Sequence, residues 1–215
     1  MIASSDVTLL GIPDKTKAMH DPNARQTSSG FETSRLSVRP WRDDLDNDPR
    51  RENLYKELAA ILTPDVLRHL PEPLQITDAP DAITRWVADR DAESDVYTVH
   101  AQGPDTLLGL LILVEFPEPD AGGTRHTIHL GFLFAENQWG KGYASELIDG
   151  LVHWTQNRNH RVQLLGGVAK DNPASARVLQ KAGFVRIAEM SDDETDMFGM
   201  QSEAAPLSHK AESPK

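Results

Sequence analysis

The run Phe134-Ala135-Glu136-Asn137-Gln138-Trp139-Gly140-Lys141-Gly142-Tyr143-Ala144 carries residue types that bind an anion through main chain. An apolar strand ends there, two glycines turn the chain, and an amphipathic helix begins. The first N–H groups of a helix have no partner within it and carry a partial positive charge. Glycines let that backbone approach a phosphate without side-chain interference. Trp139, Gly140, Lys141, Gly142, Tyr143 and Ala144 therefore read as a pyrophosphate cradle, with Lys141 adding a point charge. The loop is not a dinucleotide fingerprint, because Ser145 stands where its third glycine would fall, and it is not a G-x-x-x-x-G-K-[ST] loop. A tight strand-to-helix turn without a ligand is the plain alternative.

A second group follows at Asn172-Pro173-Ala174-Ser175. Asn is a strong N-cap and Pro suits the first helical position. Ser175, Val178, Leu179 and Ala182 share one helix face, and Gly183 suits the C-terminal cap. Capping chemistry alone accounts for Asn172, Pro173 and Gly183, so a binding role must come from their context.

The elements that position these groups follow from periodicity. Residues 33–41 read as a strand, with Leu36 and Val38 on one side. Residues 50–62 and 79–91 read as helices, with Leu54, Leu58 and Ile61 on one stripe and Ile83, Trp86 and Val87 on the other. Strands are expected at 96–101, 107–116 and 125–134, with a Pro- and Gly-rich loop over 117–123. A helix to about residue 157, a strand at 161–168, a helix at 172–182 and a hairpin from 184–189 and 195–200 complete the chain. In the 125–134 strand, Ile128, Leu130, Phe132 and Phe134 form a core face, and Thr127, His129, Gly131 and Leu133 form the opposite one. The order is that of a mixed α/β fold, with antiparallel neighbours preceding a βαβ unit. Residues 1–30 read as a flexible N-terminal extension, 31–201 as the domain, and 202–215 as a flexible tail.

Composition narrows the class. The 215 residues suffice for one domain with a proper core. No apolar run reaches the ~20 residues of a membrane helix, and the N-terminus lacks the basic region of a secretory signal. A cytoplasmic protein is expected. With no cysteine there is no disulfide, no thiolate metal site and no Cys nucleophile. Any thioester sulfur must come from a cofactor, and no metal is called for. The net charge of −11 disfavours nucleic acid and is compatible with a cationic substrate.

The cradle and the Asn172 group together resemble the GNAT superfamily of N-acetyltransferases, and more narrowly its ribosomal-protein-alanine acetyltransferase-like branch. Three stretches carry the resemblance: Arg35-Leu36-Ser37-Val38-Arg39-Pro40-Trp41, Trp139-Gly140-Lys141-Gly142-Tyr143-Ala144-Ser145-Glu146, and Asn172-Pro173-Ala174-Ser175 to Lys181-Ala182-Gly183-Phe184. Two separated motifs in the right order, about 30 residues apart, are more specific than either alone. The resemblance covers residues 33–200 or so. It implies a splayed sheet holding acetyl-CoA between the 125–134 and 161–168 strands. It also implies pantetheine contacts from Leu133 and Phe134, pyrophosphate contacts from residues 139–144, and Asn172 and Ser175 near the thiol. Trp139 stands in the loop's usual Gln/Arg place, and Leu179 stands where many members carry a tyrosine acid.

The implied reaction is acetyl transfer to a primary amine, on a protein N-terminus or a small molecule. Such a reaction needs a base, oxyanion donors and a proton for the departing thiolate. Main-chain N–H groups at Leu133 or Phe134 are the expected donors. His129, on the face opposite the core face, is the expected base, since an imidazole titrates near neutrality. Ser175, one turn after Asn172, is the expected partner of the thiolate. An exposed strand histidine and a capping serine are the plain readings of the same residues. A binding module that keeps the acyl-CoA wedge without catalysis is the competing function. Acceptor identity and oligomeric state, a homodimer included, stay open.

Overall fold

The computed structural model describes residues 7–8, 12–13, 29–120, 123–158 and 161–202. Most of the expected N-terminal extension and the tail lie outside the described residues. Val7–Thr8 and Ile12–Pro13 form a separate antiparallel pair.

Eight strands make the main sheet. β1 (Phe31–Glu32) and β2 (Leu36–Pro40) lead to β3 (Asp95–Ala101), β4 (Leu107–Asp120) and β5 (Gly123–Phe134), each antiparallel to the one before. β6 (Arg161–Ala169) lies parallel to β5. β7 (Val185–Ile187) and β8 (Thr195–Ser202) follow, giving the spatial order β1-β2-β3-β4-β5-β6-β8-β7. Helices α1 (Arg42–Leu45), α2 (Asp48–Ile61), α3 (Pro64–Leu67) and α4 (Ala82–Glu93) fall between β2 and β3. α5 (Tyr143–Gln156) connects β5 to β6, and α6 (Pro173–Lys181) follows β6.

Both faces of the sheet are covered. One core gathers Trp41, Leu58, Trp86, Leu110 and Ile112 beneath α2 and α4. The other gathers Val38, Leu111, Leu147, Leu151, Leu164 and Phe198 beneath α5. Burial on both sides explains the nearly unbroken apolar run of β4 from Leu107 to Val114. In α5 the buried residues Leu147, Ile148, Leu151, Val152 and Thr155 repeat at helical spacing.

The structure corrects the sequence reading in two places. The expected loop over 117–123 is largely strand: Pro117 pairs with His126, Glu118 with Arg125 and Pro119 with Thr124. β3 reaches only Leu113 on the other side, so this stretch of β4 is an edge, where proline is tolerated. The face of β5 that carries Thr127 and His129 is not open either. Both residues are 5% exposed, because the core beneath α2 and α4 covers that face.

Candidate active site

β5 and β6 pair only from Arg125–Arg161 to His129–Leu165. Beyond that register they separate. Leu130, Gly131 and Phe132 on β5 and Gly166 to Ala169 on β6 line opposite walls of a chamber of about 480 Å³. A second chamber of about 490 Å³ continues from Phe132 to Phe134 toward Trp139, Gly140, Gly142 and the start of α5. Arg68, His69, Leu70, Phe132, Asn172 and Ser175 border both, and so mark their junction. The wedge expected between the two strands is therefore present. Over Leu130–Phe134 the edge of β5 toward β6 has no strand pairing, and apart from the Phe134 carbonyl, which accepts from the Trp139 indole, that edge is available to an amide-bearing ligand.

The glycine loop owes its shape to local chemistry. A 3₁₀ turn at Glu136–Gln138 leads to Trp139, whose indole Nε1 donates to the Phe134 carbonyl at 2.8 Å. The tryptophan in the usual Gln/Arg place thus ties the loop to the end of β5. Gly140 and Gly142 then take φ of 73° and 81°, a region that side chains disfavour. Gly142 is the N-cap of α5 and offers no side-chain acceptor to the first helical amides. α6 differs, since Asn172 Oδ1 accepts from the Ser175 N–H at 3.1 Å. α6 is thus capped by its own side chain, whereas α5 presents its amides to whatever lies in the chamber.

Behind the loop stands a polar cluster that the sequence reading did not anticipate. Glu146 Oε1 accepts from Thr33 Oγ1 at 2.6 Å, Ser34 Oγ at 2.9 Å and the Arg35 N–H at 2.8 Å. Its Oε2 accepts from Arg35 Nε at 2.5 Å. Burial pushes the Glu146 carboxyl up, but these hydrogen bonds outweigh it and hold its pKa down to about 2. Arg35 also donates from Nη1 to the Lys141 carbonyl at 3.1 Å and lies 4.6 Å from the Tyr143 ring centre. Glu146 thus anchors an arginine that props the loop.

Charge in the second chamber runs against the chain's net charge. Arg68, Arg177 and Lys181 line it, with Asp65 as the opposing carboxylate. Arg177 and Lys181 are four residues apart on α6 and so share a face. Lys141, expected to add the point charge, does not line the chamber; its Nζ donates to Gln138 Oε1 at 3.0 Å. The arrangement of uncapped α5 amides, a glycine approach and three cations fits a phosphorylated ligand such as the coenzyme A pyrophosphate.

The expected catalytic pair is split. Ser175 is half-buried at the junction. His129 packs edge-on against Phe116, with ring centres 5.9 Å apart, and lines neither chamber. Leu179, in the tyrosine place, is buried and borders the first chamber. Glu72, Asp192 and Glu194 also border that chamber. Asp192 Oδ1 accepts the N–H groups of Thr195 at 2.7 Å and Glu194 at 2.8 Å, and these bonds lower its pKa. His69 is the functional candidate that pattern did not reveal. Its segment has no period, and its position is set by irregular contacts, such as Gln75 Nε2 donating to the Leu67 and Leu70 carbonyls.

Residues 35–185 match the family model described as an acetyltransferase (GNAT) domain. No curated protein matches the chain. Among solved structures, it is similar to a GNAT-family acetyltransferase from Bacillus anthracis, at 17% identity and TM-score 0.55, over 80% of this chain and 96% of that one. It is similar to spermidine N-acetyltransferase from Vibrio cholerae in complex with CoA and spermine, at 18% identity and TM-score 0.51, over 79% and 96% of the two chains. It is also similar to a ribosomal alpha-N-protein acetyltransferase in complex with coenzyme A, at 15% identity and TM-score 0.52, over 78% and 94%. At these identities the likeness is one of fold.

Proposed function

Because this chain belongs to the GNAT acetyltransferase family, we propose that it transfers the acetyl group of acetyl-CoA directly to a primary amine, borne by a protein N-terminus or a small molecule. The observation that carries the reading is the joined cleft. Its cofactor half ends at the uncapped start of α5, and its other half opens where β5 and β6 part. The family match supports acetyl transfer to an amine; the ribosomal-protein branch draws support from one fold neighbour alone.

In this reading the amides of Gly142, Tyr143 and Ala144 hold the pyrophosphate, and Trp139 and Gly140 shape the loop around it. Lys141 acts at longer range, since its side chain is turned to Gln138. Arg177 and Lys181 supply the countercharge. The edge of β5 at Leu133 and Phe134, which β6 does not pair, takes up the pantetheine amides, and main-chain N–H groups there stabilise the oxyanion. Asn172 holds the start of α6 in place, and the Ser175 hydroxyl donates to the departing thiolate. Acetyl-CoA, once bound, supplies an activated acyl group. With no cysteine in the chain, the amine attacks the thioester without an enzyme-bound acyl intermediate on sulfur. The unit is residues 31–201, acting in the cytoplasm.

Leu179 in the tyrosine place favours a second reading, a module that binds acyl-CoA without turnover. Incubation with acetyl-CoA and a panel of amines, followed by thiol release and product mass, separates the two. Amine-dependent thiol release with an acetylated product establishes the transferase. Binding without release establishes the module, and neither binding nor release refutes both.

A further inference from the structure

His69 stands at the junction of the two chambers, outside both cofactor motifs and supplied by the segment that follows α3. Its side chain is 22% exposed, and Nδ1 lies 3.1 Å from Asp171 Oδ1. Arg68 Nε donates to His69 Nε2 at 3.1 Å. A guanidinium N–H only donates, so Nε2 is the acceptor and carries no proton. The ring proton of the neutral imidazole is then on Nδ1 and is donated to Asp171. A carboxylate that fixes the tautomer leaves Nε2 as the basic atom, on a residue that borders both chambers together with Phe132 and Ser175.

We propose that His69 is the base of the transfer and that Asp171 is its positioning residue; this rests on the transferase reading above. An incoming alkylammonium takes the place of the Arg68 guanidinium, whose side chain is 56% exposed. Nε2 accepts one proton from the ammonium, leaving the free amine and an imidazolium held by Asp171. The amine attacks the thioester carbonyl carbon, a C–N bond forms, and the C–S bond breaks with its electron pair leaving on sulfur. The second amine proton passes to that sulfur by way of the Ser175 hydroxyl, giving the free thiol, and the imidazolium returns its proton to water. His129 cannot take the first step from its position against Phe116, outside the lining of either chamber.

The charged groups around His69 come from several elements. Arg68 and Asp171 touch it. Glu72, Asp192 and Glu194 line the chamber on one side, and Asp65, Arg177 and Lys181 the chamber on the other. The three acidic groups on the first side favour an ammonium ion near Nε2.

The test compares His69→Ala, His69→Gln and Asp171→Asn with the parent enzyme. Removing a general base costs about 10²–10⁴ in kcat/KM, and both His69 variants are expected in that range. Asp171→Asn is expected to lose less than either His69 variant, because the Asp171 side chain is 78% exposed and water can take over part of its role. Calorimetry with acetyl-CoA reports the fold and the cradle separately, and its Kd is expected to move by less than about threefold. The acidic limb of the parent's pH profile for kcat/KM should vanish in His69→Ala, and added imidazole should restore part of the rate. Turnover within about threefold of the parent, or a retained acidic limb, overturns the proposal while the transferase reading stands. A parent without turnover overturns both.

Discussion

Glu146→Gln is the sharpest probe of how the loop is held. The substitution keeps an oxygen for Thr33, Ser34 and the Arg35 N–H, but it removes the charge and puts an amide where Oε2 accepts from Arg35 Nε. A carboxyl held at about 2 instead of its ordinary 4.5 represents at most about 3.5 kcal/mol of stabilisation. The Arg35 side chain is 48% exposed, so water screens much of the pair, and about 1–2 kcal/mol is expected to remain. For a domain of this size that lowers the melting midpoint by about 2–8 °C at pH 7. The folded-state pKa is depressed, so the contribution is fully present above the unfolded value of about 4.5 and is lost as pH falls toward 2. The gap between parent and variant should hold from pH 8 to 5 and close below that. Arg35 would also release the Lys141 carbonyl, and acetyl-CoA affinity should weaken by about three- to tenfold. Thermal melts across pH, with calorimetry at pH 7, give both numbers. Equal midpoints at pH 7, or a gap that widens on acidification, refute the reasoning.

Three further outcomes follow from the same geometry. Ser175→Ala should lower kcat by about tenfold or more while Kd for acetyl-CoA holds; full turnover removes the hydroxyl from the thiolate step. Trp139→Phe keeps the ring but loses the bond to the Phe134 carbonyl, and should cost about 0.5–1.5 kcal/mol of stability together with some cofactor affinity, read by melting and calorimetry. Arg177→Gln should weaken acetyl-CoA binding by about three- to tenfold at low ionic strength and by less at high salt; a salt-independent loss contradicts a charge role.

The parts of the fold that repeat a short local rule could be read from sequence. The apolar stripes of α5 and α6, the Asn172 cap and the two-glycine turn need only neighbouring residues, and the structure has each of them. What could not be read depends on distant partners. Arg35 and Glu146 are 111 positions apart, and nothing local pairs them. Alternation in β5 separates two faces without telling which is covered, and Phe116 lies against His129 on the face opposite the core face. Prolines at 117 and 119 signal a turn until β3 is seen to stop short and leave β4 an edge. His69 and Arg68 reach the cleft from an irregular segment whose path is fixed by tertiary hydrogen bonds.

The central claim is that the uncapped start of α5 binds the pyrophosphate of acetyl-CoA. Titration calorimetry of the protein with acetyl-CoA, beside Gly142→Glu, tests it most directly. At φ 81° a side chain is strained, at a cost of about 1–2 kcal/mol, so Gly142→Ala serves as the control for strain alone, with melting curves verifying that both variants fold. The account predicts micromolar binding in the parent, a modest loss in Gly142→Ala, and a far larger loss in Gly142→Glu, whose side chain starts 3.6 Å from Arg35 Nη2, adds negative charge beside the cradle and draws away the guanidinium that props the loop. Binding of equal strength in a folded Gly142→Glu protein, or none in the parent, contradicts it.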